Sequence, residues 1–268
     1  MSKLVYFLII SVLILFIFGL QKMWFFPPNT EGVRVLMYHK ISDGKTDYLT
    51  VNIEQFESHL KHLQSLDYQY ITTQNLIDFY SKKIALPSKP ILLTFDDGYL
   101  NNLTLAYPIL KRHNALATIF IPSHFVGQKT SWDIDAEMTM SLENLRQLDP
   151  SVFSLALHSH EHINYQNLSL EDIEKDVLQN LDFFTKNNLP FAPALAYPYG
   201  GRPKNVDVLR GMKNVFEKHK IQLAFRIGNR INSFKIKDLY ELKRIDIRGT
   251  DSFETFKKKV EKGRERLF

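Results

Sequence analysis

Two carboxylates, Asp96 and Asp97, stand side by side at the end of the apolar run Ile91 to Phe95, with Gly98 directly behind them. A second apolar run, Val152 to Leu157, leads into His158-Ser159-His160-Glu161-His162, three histidines and a glutamate in five residues. A short β-favouring run normally ends in one turn residue, so adjacent like charges there call for compensation by a metal ion, a nearby cation or water. Neutral imidazole is the commonest nitrogen ligand for zinc, and two imidazoles with one carboxylate form an open site with room for water. If one carboxylate joins two histidines on a divalent cation, the other stays ionised beside it as a general base. Such a metal acidifies bound water and polarises a carbonyl oxygen, a combination suited to hydrolysis of an amide or ester. Gly98 lets the backbone turn tightly, so that both carboxylates can face one cavity. The bland alternative is a polar surface loop that is rich in histidine.

Other chemistries are excluded by what is missing. Counted from His160, the zinc-protease pattern H-E-x-x-H fails at Asn164, and neither G-x-S-x-G nor G-x-G-x-x-G occurs. Cysteine is absent, which removes disulfides, thiolate nucleophiles, Cys-ligated zinc and lipoprotein processing. Any metal must be held by His, Asp and Glu.

The elements that position these residues alternate between strand and helix. Val33 to Tyr38 reads as a strand running into His39; strands are also expected over 91–95, 115–121, 152–157, about 192–196 and 221–225. Between them, 52–66, about 103–112, 141–148, 169–187 and 206–219 read as helices, the fourth opened by a capping box of Ser169 with Asp172, and a last helix starts near Ser252. With 268 residues, 44% hydrophobic, that pattern predicts one α/β domain built on a parallel sheet or barrel. His39, Asp96 and Asp97, the 158–162 cluster, and Tyr197 with Tyr199 all fall just past strand ends, on the rim where such folds build sites.

Leu4 to Leu20 carries no charge, is bracketed by Lys3 and Lys22, and is followed by Trp24, Phe25 and Phe26. No A-x-A-like cleavage site follows, so residues 1–26 are read as one transmembrane signal anchor with its interface residues, 27–32 as a linker and 33–268 as the catalytic domain. The expected location is the cell membrane with an extracellular catalytic domain, or secretion if the segment is cleaved. The net charge of +5 owes much to the basic C-terminal helix, read as a solvated face; no nucleic-acid partner is expected.

The motifs "TFDDG", "HSHEH" and "YPYG" resemble those of the polysaccharide deacetylases, the NodB-homology group of carbohydrate esterase family 4. The resemblance covers roughly residues 33 to 248. It implies a distorted (β/α) barrel with fewer than eight strands, with Asp96 as base, Asp97, His158 and His162 as ligands of a divalent metal, most simply zinc, and Ser159 supporting the loop. Tyr197, Pro198 and Tyr199 would bind substrate, the Tyr199 N–H helping to hold the oxyanion. The family's third motif commonly has an arginine where Ala196 stands, so the usual partner of the base is missing, and no Leu-x-His acid motif occurs near the C-terminus. Both departures are similar to the branch acting on poly-β-1,6-N-acetylglucosamine in biofilm formation, in which the acid comes from an N-terminal "MYH", here His39; Asp246 would orient His39 or the base. The implied activity is removal of N-acetyl groups from an extracellular polysaccharide. Peptidoglycan or acetylated xylan is the alternative polymer, and an inactive surface carbohydrate-binding domain is the alternative of another class.

Overall fold

The computed structural model describes residues 31–264; the expected anchor and most of the linker lie outside them. Among the described residues, no helix is long and apolar enough to cross a membrane.

The described residues form ten strands: β1 (Arg34–Tyr38), β2 (Lys40–Ser42), β3 (Thr50–Asn52), β4 (Gln69–Tyr70), β5 (Pro90–Phe95), β6 (Ala117–Ile121), β7 (Phe153–Leu157), β8 (Ala194–Ala196), β9 (Leu223–Ile227) and β10 (Leu242–Asp246). Seven of them close a parallel ring in the order β1, β5, β6, β7, β8, β9, β10 and back to β1. Leu36 of β1 sits opposite Leu93 on one side and Ile245 on the other. The two-residue β4 pairs with the start of β5, and β2 pairs with β3 beside the ring. The expected barrel with fewer than eight strands is present. Strands β2, β3, β4 and β10 are additions to the sequence reading; the first three are too short to carry a periodic signal, and β10 alternates Leu242, Arg244 and Asp246 with Lys243 and Ile245, so its inner positions are mostly charged.

Helices α1 (Ile53–Ser65), α2 (Thr73–Lys82), α3 (Tyr107–Arg112), α4 (Leu142–Arg146), α5 (Leu170–Lys186), α6 (Val206–Lys218) and α7 (Phe253–Lys262) connect or follow the strands. α3 is preceded by a π turn over Asn102–Ala106. At the start of α5, Ser169 Oγ accepts from the Asp172 N–H, but the Asp172 carboxylate takes the Ser169 hydroxyl rather than its backbone N–H, so the expected capping box is only half made.

Side chains alternate across each strand, and this divides the interior in two. Outward positions such as Leu36 and Tyr38, Ile91, Leu93 and Phe95, Ile119, Leu155 and Ile245 join Phe56 and Leu60 of α1, Val177 of α5, Phe216 of α6 and Phe256 of α7 in the main core. Inward positions form a second, narrower core that includes Val35, Leu92, Phe120, Ala156, Ala194, Phe225 and Leu242. Followed two residues at a time toward the C-terminal mouth, the inward rows reach His39 just past β1, Asp96 just past β5, His158 just past β7, and Arg244 then Asp246 on β10. The period-two rule that fills the barrel with apolar groups thus delivers these ionisable residues to one end.

Candidate active site

At that mouth lies a cavity of about 270 Å³ lined by His39, Asp96, Asp97, His158, His162, Tyr199, Arg244 and Asp246, with Trp132 and Tyr48 among its other walls. The backbone around it is held in a region that side-chain-bearing residues rarely adopt: Asp97, Ser159, His162 and Tyr199 have φ of 72°, 67°, 51° and 58°. Asp97 and Gly98, at φ 63°, are consecutive left-handed residues, so the turn behind the acid pair is made by Asp97 as well as by the glycine. A Cβ on Gly98 would come within 2.7 Å of Ile121 Cδ1. Left-handed residues concentrated around one cavity are the kind of strain that surrounding structure must hold in place.

Asp96 is buried and gripped by Arg244, whose Nη1 and Nη2 donate to Oδ1 and Oδ2 at 2.5 and 2.7 Å. Burial alone pushes the Asp96 carboxyl up, but Arg244, His158 and His39 outweigh it and leave the group below the usual carboxylate range, hence ionised at neutral pH. The sequence reading left the base without its arginine; Arg244 supplies one from a different strand, β10. Its signal was a charged residue alternating with apolar ones, in a segment that had not been read as a strand. His39 Nε2 is 3.9 Å from Asp96 Oδ2, on the cavity side.

Asp97, His158 and His162 each aim one ligand atom at a common point, all within 4.8 Å of one another. His162 Nε2 and His158 Nε2 approach Asp97 Oδ1 at 3.0 and 3.3 Å, yet that buried oxygen has no hydrogen-bond partner. His158 directs Nδ1 to the Ala196 carbonyl at 2.8 Å, which leaves the Nε2 lone pair facing Asp97 when the ring is neutral. Buried donors converging without hydrogen-bonding one another fit a shared divalent cation. Burial pushes Asp97 up while the two histidines hold it well below the usual range; burial lowers His162, and Asp96 with Asp97 leave His158 raised despite its burial. Trp132 stacks on the His162 ring at 3.8 Å and Tyr199 meets it edge-on at 4.9 Å. No motif pointed to Trp132, which lies in an irregular loop.

The histidine loop is anchored from α5. Asp176 accepts from Ser159 Oγ, from the His160 and Glu161 N–H groups, and from the Tyr165 hydroxyl at 2.6 Å; Asn180 accepts from the His158 N–H. Both are buried on the apolar face of α5, in step with Ile173, Val177 and Phe184. A polar pair at i and i+4 on that face was the readable sign of this role. Ser159 Oγ also accepts from the Ile163 N–H.

Other expected residues sit differently. Tyr199 is exposed at the cavity edge. Tyr197 reaches the cavity wall, but its ring is buried against Phe216 and its hydroxyl donates to the Tyr240 carbonyl. Pro198 is buried in the turn between them. Asp246 accepts from Arg248 Nε and the Tyr48 hydroxyl through Oδ2, so the carboxylate is held by those two groups rather than by His39 or the base, and its buried Oδ1 has no hydrogen-bond partner.

A family profile described as "Polysaccharide deacetylase" matches residues 83–233. The poly-β-1,6-N-acetyl-D-glucosamine N-deacetylase of Staphylococcus aureus (strain MRSA252) is 28% identical over 170 residues, which are 61% of this chain and 58% of that protein. The chain's match spans about three fifths of the length of the curated relatives. Among solved structures, the Streptococcus pyogenes deacetylase PplD in complex with acetate superposes with a TM-score of 0.71 at 22% identity, covering 87% of this chain and 100% of PplD. IcaB from Ammonifex degensii gives 0.71 at 20% identity, covering 86% and 96%. At these identities the two structures speak to the fold.

Proposed function

Because this chain belongs to the polysaccharide deacetylase family, we propose that it hydrolyses the N-acetyl groups of an extracellular polysaccharide, with poly-β-1,6-N-acetylglucosamine as the polymer. One observation carries the activity: an ionised buried carboxylate, three convergent ligand atoms and a histidine share a single cavity. A binding module has no use for that set. The polymer is supported by the Staphylococcus aureus relative named for it and by His39, which follows β1 and faces the base.

A divalent cation held by Asp97, His158 and His162, for which we choose zinc, would act as a Lewis acid toward the acetamide oxygen and acidify the attacking water. Asp96, fixed by the Arg244 fork, takes the proton from water. Tyr199 offers its backbone N–H to the developing oxyanion. His39 gives a proton to the departing nitrogen, so that acetate and a free amine leave. Asp246 keeps an unpartnered acceptor at the cavity wall, where a sugar hydroxyl would satisfy it. The apolar run Leu4 to Leu20 would tether the domain at the outer face of a membrane.

The test is mass spectrometry of β-1,6- and β-1,4-linked N-acetylglucosamine oligomers after incubation with the protein. Loss of acetyl mass from the β-1,6 series alone is expected. Loss from the β-1,4 series alone would transfer the reading to a peptidoglycan-like polymer, and loss from neither would defeat it.

A further inference from the structure

We propose that the face of the 158–162 loop turned away from the cavity carries a second divalent-cation site, formed by His124, His160 and Glu161 and taking a zinc-like ion. The inference rests on these residues alone and is independent of the activity.

The loop sends its residues two ways. His158 and His162 enter the cavity, whereas His160 and Glu161 do not line it. Left-handed Ser159 and His162 bracket the pair, and Asp176 ties down both of their N–H groups, so the outward side chains start from a fixed backbone. The third member comes from the turn after β6: the His124 N–H donates to the His160 carbonyl at 3.0 Å, which holds the two segments together.

Each of the three residues offers one ligand atom, and all lie within 4.8 Å of one another. His124 Nδ1 and His160 Nε2 are 3.2 and 3.6 Å from the same oxygen, Glu161 Oε1. His160 Nδ1 is 2.8 Å from Ser123 Oγ, which also accepts from Asn180 Nδ2 at 2.7 Å. With Ser123 accepting from Nδ1–H, the Nε2 lone pair of His160 faces the cluster. This is the support that metal-ligating histidines generally have. Two imidazoles and a carboxylate favour zinc and its neighbours over magnesium or calcium and leave positions open to water.

Position sets the difference from the inner cluster. His124 and Glu161 are exposed and His160 partly so, whereas all three inner ligands are buried. The outer ion would bind more weakly and exchange faster, and it would clamp the loop that carries two inner ligands.

The experiment is equilibrium dialysis of the chelator-stripped full chain against buffered micromolar free Zn²⁺, with zinc counted per chain. The wild type should hold two ions. His124→Ala and Glu161→Gln should each hold one, and His219→Ala, which removes an imidazole–carboxylate pair with Glu174 that lacks a third ligand, should still hold two. Asp97→Asn should hold one, and Asp97→Asn/His124→Ala none. A single ion in the wild type, two in His124→Ala, or one in His219→Ala would overturn the outer site. If Asp97→Asn kept two, the inner assignment would fail instead.

Discussion

The two faces of the barrel strands make opposite uses of neighbouring residues. On β5 the outward row is Ile91, Leu93 and Phe95, all in the main core beneath the helices; the inward row is Leu92 and Thr94, continued just past the strand by Asp96, and it passes from apolar packing to an ion pair in three residues. β10 repeats the contrast, with Ile245 outward between Arg244 and Asp246 inward. Stability and chemistry are interleaved at every second residue, so they should separate cleanly in single substitutions.

The inward row carries the largest expected effect. Asp96→Asn should lower turnover by roughly 10²–10⁴-fold, the usual span for a general base, while zinc content stays at the wild-type value. Asp97→Asn should instead lose the inner ion; the reverse pattern would exchange the two roles. His39→Ala should lose a comparable factor on an acetamide but far less on an activated aryl acetate, whose phenolate leaves without a proton. Equal losses on both substrates would remove His39 from the reaction.

Among the helix residues packed on the outward row, Phe56→Ala should behave in the opposite way. The Phe56 ring meets Tyr38 at 5.3 Å and Phe95 at 5.7 Å, and truncating a buried phenylalanine costs about 3–5 kcal/mol. Urea unfolding should register that loss while turnover per folded molecule is unchanged. A fall in turnover as large as that of Asp96→Asn would mean that the two faces are not independent.

The same contrast explains what could be read from the sequence. Outward rows form continuous apolar runs with helical partners of clear period, so six of the seven ring strands were legible, over 33–38, 91–95, 115–121, 152–157, about 192–196 and 221–225. The acid pair and the histidine loop were legible because adjacent like charges and clustered imidazoles after an apolar run have few structural reasons to occur. Asp176 and Asn180 showed only as a polar pair on an apolar helix face, with nothing in the pattern to name the loop they hold. Arg244 was not legible, because its partner is distant in sequence: it stands 148 positions from Asp96. Local pattern cannot supply that pairing; only ring closure between β10 and β1 does.

The buried pair itself offers a smaller and more surprising test. Replacing both partners of a buried ion pair by apolar groups of similar size is often neutral, or stabilising by about 1–4 kcal/mol, because neither charge must then be desolvated. Asp96→Leu/Arg244→Met should therefore be inactive yet at least as resistant to urea as the wild type. A double variant weaker by more than about 2 kcal/mol would mean that the pair supports the fold as well as the reaction.

The smallest effect lies in the outer layer, where one ionisable group is buried among aromatic rings. His59 of α1 stacks on Phe256 at 3.7 Å, and its Nδ1 is 3.3 Å from the Tyr38 hydroxyl. Burial, reinforced by the charges of His62 and Lys259, lowers its pKa from 6.5 to about 3. The unfolded chain therefore takes up a proton below pH 6.5 that the folded chain refuses until about pH 3, so stability is fully present above pH 6.5 and falls as pH drops through that window. The limiting slope is about 1.4 kcal/mol per pH unit, and the loss between pH 6.5 and 5 is about 1.6 kcal/mol. His59→Gln keeps an acceptor for the Tyr38 hydroxyl and removes the proton, so its unfolding free energy should change less with pH over that interval, whatever its absolute stability. Equal pH slopes in the two proteins would show that His59 does not control the acid limb. A change in turnover without a change in slope would tie this helix to the mouth of the barrel and break the separation of the two faces.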